Sequence, residues 1–255
     1  MTMVGAWNRS AAPSATVVGG DPSEHLAAWA PDVALVAVSD DAVPGFLATL
    51  AAPAGTVLLH TSGSLPLSAL PPAPGAHVGG WHPLQSFGAS AQGDVPVPPY
   101  WVALDGDDRA VAAGRSLAEA TGHPSVVVRG EAKAAYHAAA VLASNAFTAL
   151  EAAAVEVMVS AGVPRDASWP LLQPLVHGTL NNLADGDFRR AITGPVARGD
   201  ATTVIRNLAA ASTVPGAAAI YRALSAGALR LVEEDLGDDV AAAVRSALKP
   251  PDGQV

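Results

Sequence analysis

The side chains best suited to chemistry fall in a few short segments. Lys133 is one of only two lysines in the chain, and the other, Lys249, sits in the tail. On a helix advancing about 100° per residue, Lys133, His137, Ser144, Thr148 and Glu151 project at about 0°, 40°, 20°, 60° and 0°. They form one polar stripe on an otherwise Ala/Val/Leu helix. Such a stripe is either a solvated face or a face turned to a cleft. A solvated face of that length carries more charge than one Lys and one Glu, so the short polar side chains favour the cleft. Lys133 then faces the cleft, with His137 beside it and Tyr136 about 60° off the stripe. His82 is a proton-handling candidate, because imidazole is easily tuned to exchange protons near neutrality. A hydrogen-bonded structural histidine is the other reading. Gln85, close by, and Ser144, on the stripe, are candidates for touching substrate. Arg198, exposed in a loop over residues 193–200, suits an anionic substrate, while Asp200 reads as the cap of the next helix.

A second set suits a cofactor. Asn8-Arg9-Ser10 closes an apolar run over residues 1–7. At the equivalent place in a doubly wound nucleotide-binding fold, an acid holds the ribose of NAD or an arginine accepts the 2′-phosphate of NADP. Arg9, with the Ser10 hydroxyl, therefore points to NADP; the alternative is an ordinary surface arginine. Ser39 and Asp40 follow one apolar run, and His60, Thr61 and Ser62 end another, where open α/β sheets bind ligands. Asp40 and Asp41 are equally suited to capping the helix that follows, and capping is the preferred reading for Asp41. His60, His82 and His137 could also gather around zinc, but no carboxylate partner is evident and no metal is expected.

These residues need elements to place them. Apolar runs at 32–38, 55–60, 76–81, 100–104 and 125–128 read as buried strands, with helices at 42–51 and 108–121. Alternating strands and helices imply a largely parallel sheet. From residue 131 the pattern is helical: 131–161, 166–185, 200–212, 216–234 and 238–248. This gives an α/β domain over residues 1–129, an all-helical domain over 130–248 and a disordered tail over 249–255. No G-x-G-x-x-G turn occurs in the sequence. The first strand, glycine turn and helix of a doubly wound domain are thus expected to lie upstream of Met1.

Composition narrows the function. Of 255 residues, 50% are hydrophobic and 15% charged, with 14 Lys plus Arg, 23 Asp plus Glu and a net charge of −9. That balance argues against nucleic acid as partner. There is no cysteine, hence no disulfide, thiolate metal site or cysteine nucleophile. No secretory leader is evident at the start, and polar groups interrupt the longest apolar region, so a soluble, cytoplasmic protein is expected. P-loop, G-x-S-x-G and H-E-x-x-H motifs are absent.

Six segments together resemble a known family. They are Val4-Gly5-Ala6-Trp7-Asn8-Arg9-Ser10, Ala37-Val38-Ser39-Asp40-Asp41-Ala42, His60-Thr61-Ser62-Gly63, His82-Pro83-Leu84-Gln85-Ser86-Phe87, Lys133-Ala134-Ala135-Tyr136-His137-Ala138-Ala139-Ala140 and Thr193-Gly194-Pro195-Val196-Ala197-Arg198-Gly199-Asp200. In this order they resemble the Rossmann-like family whose helical half is domain of unknown function 2520, a relative of pyrroline-5-carboxylate reductase, prephenate dehydrogenase and 6-phosphogluconate dehydrogenase. The resemblance implies a Rossmann-like doubly wound domain, a helical domain that forms a homodimer, and an NADP-dependent oxidoreductase. It implies hydride transfer to or from a small carbonyl, imine or alcohol, an anionic one given Arg198. A His-Pro pair similar to His82-Pro83 borders the substrate in prephenate dehydrogenases. Lys133 with His137 resembles the Lys/Asn pair of hydroxyacid and 6-phosphogluconate dehydrogenases, where the Lys is the acid/base; His137 stands where the Asn would be. The competing expectation is a degenerate, non-catalytic ligand-binding or dimeric scaffold protein, motivated by the absent glycine turn.

Overall fold

A computed structural model of the chain describes residues 1–9, 17–88 and 97–250; Ser10 and the tail from 251 to 255 lie outside the described residues. The chain forms two compact units, Met1–Ser144 and Asn145–Val255.

The first unit begins with two short strands, β1 (Ala6–Trp7) and β2 (Val17–Val18), which pair in parallel with each other alone. The strand expected over residues 1–7 is therefore only its last two residues, the ones that have a ladder partner. Helix α1 (Pro22–Trp29), which hydrophobic periodicity did not reveal, follows. Its start is chemically marked: the Asp21 carboxylate accepts from Ser23 N at 2.8 Å, and proline opens the first turn. The pair packs on helices through aromatic rings. Trp7 meets Phe46 with centroids 5.6 Å apart, and a Cβ on Gly5 would lie 2.5 Å from the Trp29 indole. Only glycine allows that approach.

The main sheet comprises β3 (Val33–Val36), β4 (Val57–His60), β5 (His77–Pro83), β6 (Val102–Gly106) and β7 (Ser125–Val127) in sequential order, with α2 (Val43–Thr49) and α3 (Asp108–Ala120) inserted along the chain. All five expected strands are present. Strands β3, β4 and β5 are parallel, but β6 runs antiparallel to β5 and β7 parallel to β6. A parallel β5–β6 step would need a crossover, usually a helix; an antiparallel step does not.

Strand alternation gives the sheet two different faces. Val57, Leu59, Trp81, Val102 and Leu104 pack on α3, and Trp81 Nε1 donates to the Gly114 carbonyl at 3.1 Å. On the opposite face Val36 and Leu58 meet Val43 and Leu47 of α2. Further along that second face the apolar residues give way to His60, Gly80 and Asp105.

Helix α4 (Ala132–Val141) completes the first unit. The sequence suggested one helix over 131–161; a π-helical turn, Leu142–Ala146, interrupts it before α5 (Phe147–Ser160). Ser144 lies in that turn, and Thr148 and Glu151 belong to the second unit, so the stripe drawn through Lys133 holds only as far as α4. The unit boundary also falls inside the turn rather than at 129/130, leaving α4 with the sheet.

The second unit continues with α6 (Arg165–Asn182), α7 (Phe188–Ala191), α8 (Ala201–Ala211), α9 (Ala217–Leu236) and α10 (Asp238–Ala247). The helix expected over 166–185 stops at Asn182, and α7 restarts under its own cap, with the Asp187 carboxylate accepting from Arg190 N. Val204, Leu208, Leu229 and Val244 form the core of this unit. Asp200 caps α8 as expected, accepting from Thr203 N at 2.9 Å.

Candidate functional site

Three neighbouring strands set up one row of residues. His60 of β4 lies opposite Gly80 of β5, and Gly80 lies opposite Asp105 of β6. Residues directly opposite in a pleated sheet share a face. Gly80 has no side chain, so a slot opens between the imidazole and the carboxylate. Lys133, from the first turn of α4, fills it. A methyl group at position 80 would lie 3.0 Å from Lys133 Nζ and 3.4 Å from His60 Cε1. The ammonium stands 3.6 Å from Asp105 Oδ2, and both side chains are buried, at 5% and 3% exposure. Asp105 Oδ1 accepts from Gly106 N at 2.9 Å.

Two residues further along β5, on the same face, His82 adds a second centre. Its Nδ1 is 2.7 Å from the Tyr136 hydroxyl, and the rings meet edge to face. The His137 ring lies 6.3 Å from that of His82. The loop after β4 closes over both imidazoles: a Cβ on Gly63 would be 2.8 Å from His82 Nε2 and 2.9 Å from His137 Nδ1. Hydroxyl groups strap this loop down. Ser62 Oγ donates to Asp40 Oδ2 at 2.6 Å, and Ser64 Oγ donates to the same oxygen at 3.0 Å. Ser62 Oγ in turn accepts from Leu65 N at 3.2 Å.

This strap corrects the capping expectation for Asp40 and Asp41. The 3-10 turn Asp40–Ala42 starts behind Ser39 without any side-chain cap. The Asp40 carboxylate is engaged by two serine hydroxyls instead, which are stronger donors to it than a distant amide. Asp41 is exposed.

Burial controls the protonation of the cluster. It pushes His60 down to about 4, with help from the Lys133 and His82 charges and against Asp40. His82 is lowered by burial and then by His137 and Lys133. Burial lowers Lys133 as well, opposed chiefly by Asp105. Tyr136 is raised by burial, so it keeps its proton. Burial thus favours the neutral forms of His60, His82 and Tyr136, while Asp105 supports the charged form of Lys133.

The structure thus brings Lys133, His82, Tyr136, His137, His60 and Ser62 together within one unit. The other candidates lie elsewhere. Thr61 extends the β4 ladder through its amide, which donates to the Val36 carbonyl at 3.3 Å. Asn8 continues the β1 ladder, donating from N to the Val18 carbonyl at 3.0 Å, with Arg9 exposed just after it. Ser39 is exposed, and Gln85 is half-buried with its side chain accepting from Ser86 N. Arg198 is an exposed residue of the second unit. Among the described residues no group of three or more His, Asp or Glu side chains is placed to hold a metal ion. Sequence reasoning missed Asp105, Gly80 and Gly63. Asp105 hides in an acidic Asp-Gly-Asp-Asp run that reads as a helix start, and only cross-strand register reveals it.

Two observations bear on whether a nicotinamide dinucleotide fits. His60 Nδ1, His60 Nε2 and His137 Nδ1 are buried without a hydrogen-bond partner, whereas Asp105 Oδ2 faces the Lys133 ammonium at 3.6 Å. Each such nitrogen costs about 1–3 kcal/mol unless a polar group or water meets it, which suits the amide-bearing end of such a cofactor. Arg9, exposed after β1, suits a 2′-phosphate at the other end. The buried imidazole nitrogens suit the amide end, and the sequence contains no glycine-rich pyrophosphate turn.

With this geometry in hand, the comparisons place the chain. Residues 100–228, just over half of it, match the family described as Domain of unknown function (DUF2520). The chain belongs to the DUF2520 family. Its fold is Rossmann-like with a helical C-terminal part, as similar solved structures show. Protein TM1727 from Thermotoga maritima is 26% identical, with 80% of each chain covered and a TM-score of 0.65. The NADP oxidoreductase BF3122 from Bacteroides fragilis, so titled provisionally, is 20% identical over 89% of this chain and 88% of its own, also at 0.65. A reductive aminase from Aspergillus terreus, solved with NADPH and ethyl levulinate, is 17% identical over 94% and 89%, at 0.61. Among curated proteins none matches this DUF2520 chain significantly.

Proposed function

We propose that this DUF2520 chain is an NADP(H)-linked oxidoreductase acting on a small anionic carbonyl, imine or alcohol. The observation that carries the reading is the buried Lys133 in its slot, beside the His82–Tyr136 pair and at the carboxyl end of a parallel strand. A buried lysine with a single carboxylate partner is expensive to maintain, and such groups gather where protons are moved. The structural similarity to oxidoreductases solved with NADPH supports the same conclusion.

When bound, NADP(H) would supply hydride-transfer chemistry. Lys133 Nζ gives a proton to, or takes one from, the substrate oxygen or nitrogen. His82, held by Tyr136, relays protons at Nε2, and His137 orients the substrate. Ser62 and Asp40 hold the loop that excludes water. Asn8, Arg9 and Ser10 would hold the adenosine 2′-phosphate end, and Ser39, His60 and Thr61 would line the ribose and nicotinamide. Gln85 and Ser144 would meet the substrate, and Arg198, an exposed cation of the second unit, suits an anionic group.

We also propose a soluble, cytoplasmic homodimer. By length and composition Ala132–Ser160 passes for a membrane span, but Lys133 and Tyr136 tie its first turns to a sheet. The second unit favours a second copy as occupant of its bare helices. Helix α5 has no fully buried residue, and α6 exposes Trp169, Leu171, Leu175 and Leu180. Light scattering should give twice the chain mass; a monomer overturns this assembly.

The absent glycine turn favours a second reading, a non-catalytic ligand-binding or scaffold protein. Fluorescence titration with NADPH and NADH separates the two. Preferential NADPH binding that Arg9→Ala abolishes supports the enzyme. Equal affinity for both overturns the Arg9 assignment, and no binding to either favours the scaffold.

A further inference from the structure

We propose that Asp105 is the positioning residue of this site: across the slot left by Gly80 it fixes the Lys133 ammonium and sets its hold on a proton. The inference rests on the reading of Lys133 as the acid/base group and adds a residue on which that reading depends.

Geometry carries it. His60, Gly80 and Asp105 occupy one cross-strand row, so the carboxylate and the imidazole form opposite walls of a slot one strand wide. Lys133 is the side chain that enters it. The carboxylate is held in its rotamer by the bond from Gly106 N to Oδ1, which leaves Oδ2 for the lysine. At 3.6 Å the contact is an ion pair rather than a hydrogen bond. The ammonium is therefore held electrostatically while its N–H donors remain available to a substrate atom.

Charge explains why the carboxylate is needed. A buried ammonium without a partner gives up its proton. The groups facing Lys133 are His60 from β4, His82 from β5, Asp105 from β6 and Asp40 from the turn after β3. His60 is neutral at pH 7 and adds no opposing charge. Burial weakens the hold of Lys133 on its proton, and Asp105 is the first and strongest of the groups that restore it, ahead of Asp40.

The chain contains only Lys133 and Lys249, which makes the test direct. With lysine labelled at Cε and Nζ, NMR shows two signals, the exposed Lys249 serving as internal standard. In Asp105→Asn the Lys133 midpoint moves to lower pH, a roughly tenfold or greater loss of proton affinity, while Lys249 stays in place. Asp105→Glu, which keeps the charge, restores much of the loss. The alkaline limb of the kcat profile moves with the NMR midpoint. An unmoved Lys133 midpoint in Asp105→Asn overturns the proposal, whatever happens to turnover. A moved midpoint in a chain that turns over no substrate leaves the positioning role intact and removes the oxidoreductase reading. If Asp105→Asn does not fold, Gly80→Ala decides. Its methyl crowds only the far end of a flexible lysine and two neighbouring side chains. The ammonium, pushed a few tenths of an ångström from its place beside Asp105, then shows a lower midpoint, and an unmoved midpoint overturns the proposal.

Discussion

His82 Nδ1 and the Tyr136 hydroxyl, 54 residues apart in sequence, meet at 2.7 Å. The bond joins the end of β5 to the second turn of α4 and so sets the rotation of the helix that also carries Lys133. Burial favours the neutral imidazole and the protonated phenol alike. With the phenol as donor to Nδ1, the His82 proton sits on Nε2, the atom that faces Gly63; the opposite tautomer reverses the bond. Tautomer and hydrogen-bond direction are thereby coupled.

Tyr136→Phe removes that donor and keeps the ring. The neutral imidazole loses its support at Nδ1, so the His82 midpoint rises toward the ordinary histidine value. Turnover falls roughly threefold to tenfold, the worth of one neutral hydrogen bond. Histidine-resolved NMR and steady-state kinetics check both. An unmoved His82 signal contradicts the assignment.

Lys133→Ala tests the centre of the site. If Nζ handles the substrate proton, kcat falls by about two to four orders of magnitude. NADPH affinity changes by less than about threefold, because the lost contact acts on the reacting group. Unchanged turnover removes Lys133 from the chemistry.

How much of this was legible in the sequence differs residue by residue. Val57-Leu58-Leu59-His60 announces a strand covered on both faces, because β-branched and aliphatic residues without polar alternation fit nothing else of that length. Lys133 and His137 were legible because a helix repeats every 3.6 residues and their neighbours are almost all alanine. Asp105 was not, because its role comes from lying opposite Gly80, a register fixed by backbone hydrogen bonds between strands far apart in sequence. The π-helical turn at Leu142–Ala146 was equally hidden, since Leu, Ala, Ser and Asn there are compatible with an unbroken α-helix. Asp40 could be read either as a cleft residue or as a cap, and only the folded loop brings Ser62 and Ser64 to it.

Gly63→Ala should be costly without unfolding the sheet. Gly63 has no positive φ, so its backbone accepts alanine. The new methyl, however, would sit 2.8 Å from His82 Nε2 and 2.9 Å from His137 Nδ1. One imidazole or the loop must shift, an overpacking penalty of about 1–3 kcal/mol. Urea unfolding should show that loss, together with reduced turnover and an unchanged far-ultraviolet spectrum. Stability and turnover both at wild-type levels contradict the contact.

The pH dependence of stability tests the buried imidazole. His60 is 1% exposed, and burial with nearby positive charge takes it from 6.5 to about 4 in the folded chain. In the unfolded chain it titrates near 6.5. Between those values the unfolded state binds the proton and the folded state does not. Stability from this residue is therefore fully present above 6.5 and drains away as pH falls through 4. The span corresponds to roughly 3 kcal/mol, at 1.36 kcal/mol for each tenfold change in proton affinity. His60→Gln cannot titrate, so its unfolding free energy should lack this component of the decline. The expected result is a wild-type minus variant difference, measured by urea unfolding at successive pH values, that shrinks steadily from pH 7 to pH 4. A difference that stays constant over that range means His60 is protonated as easily in the folded chain as in the unfolded one, and that the slot beside Gly80 is open to water.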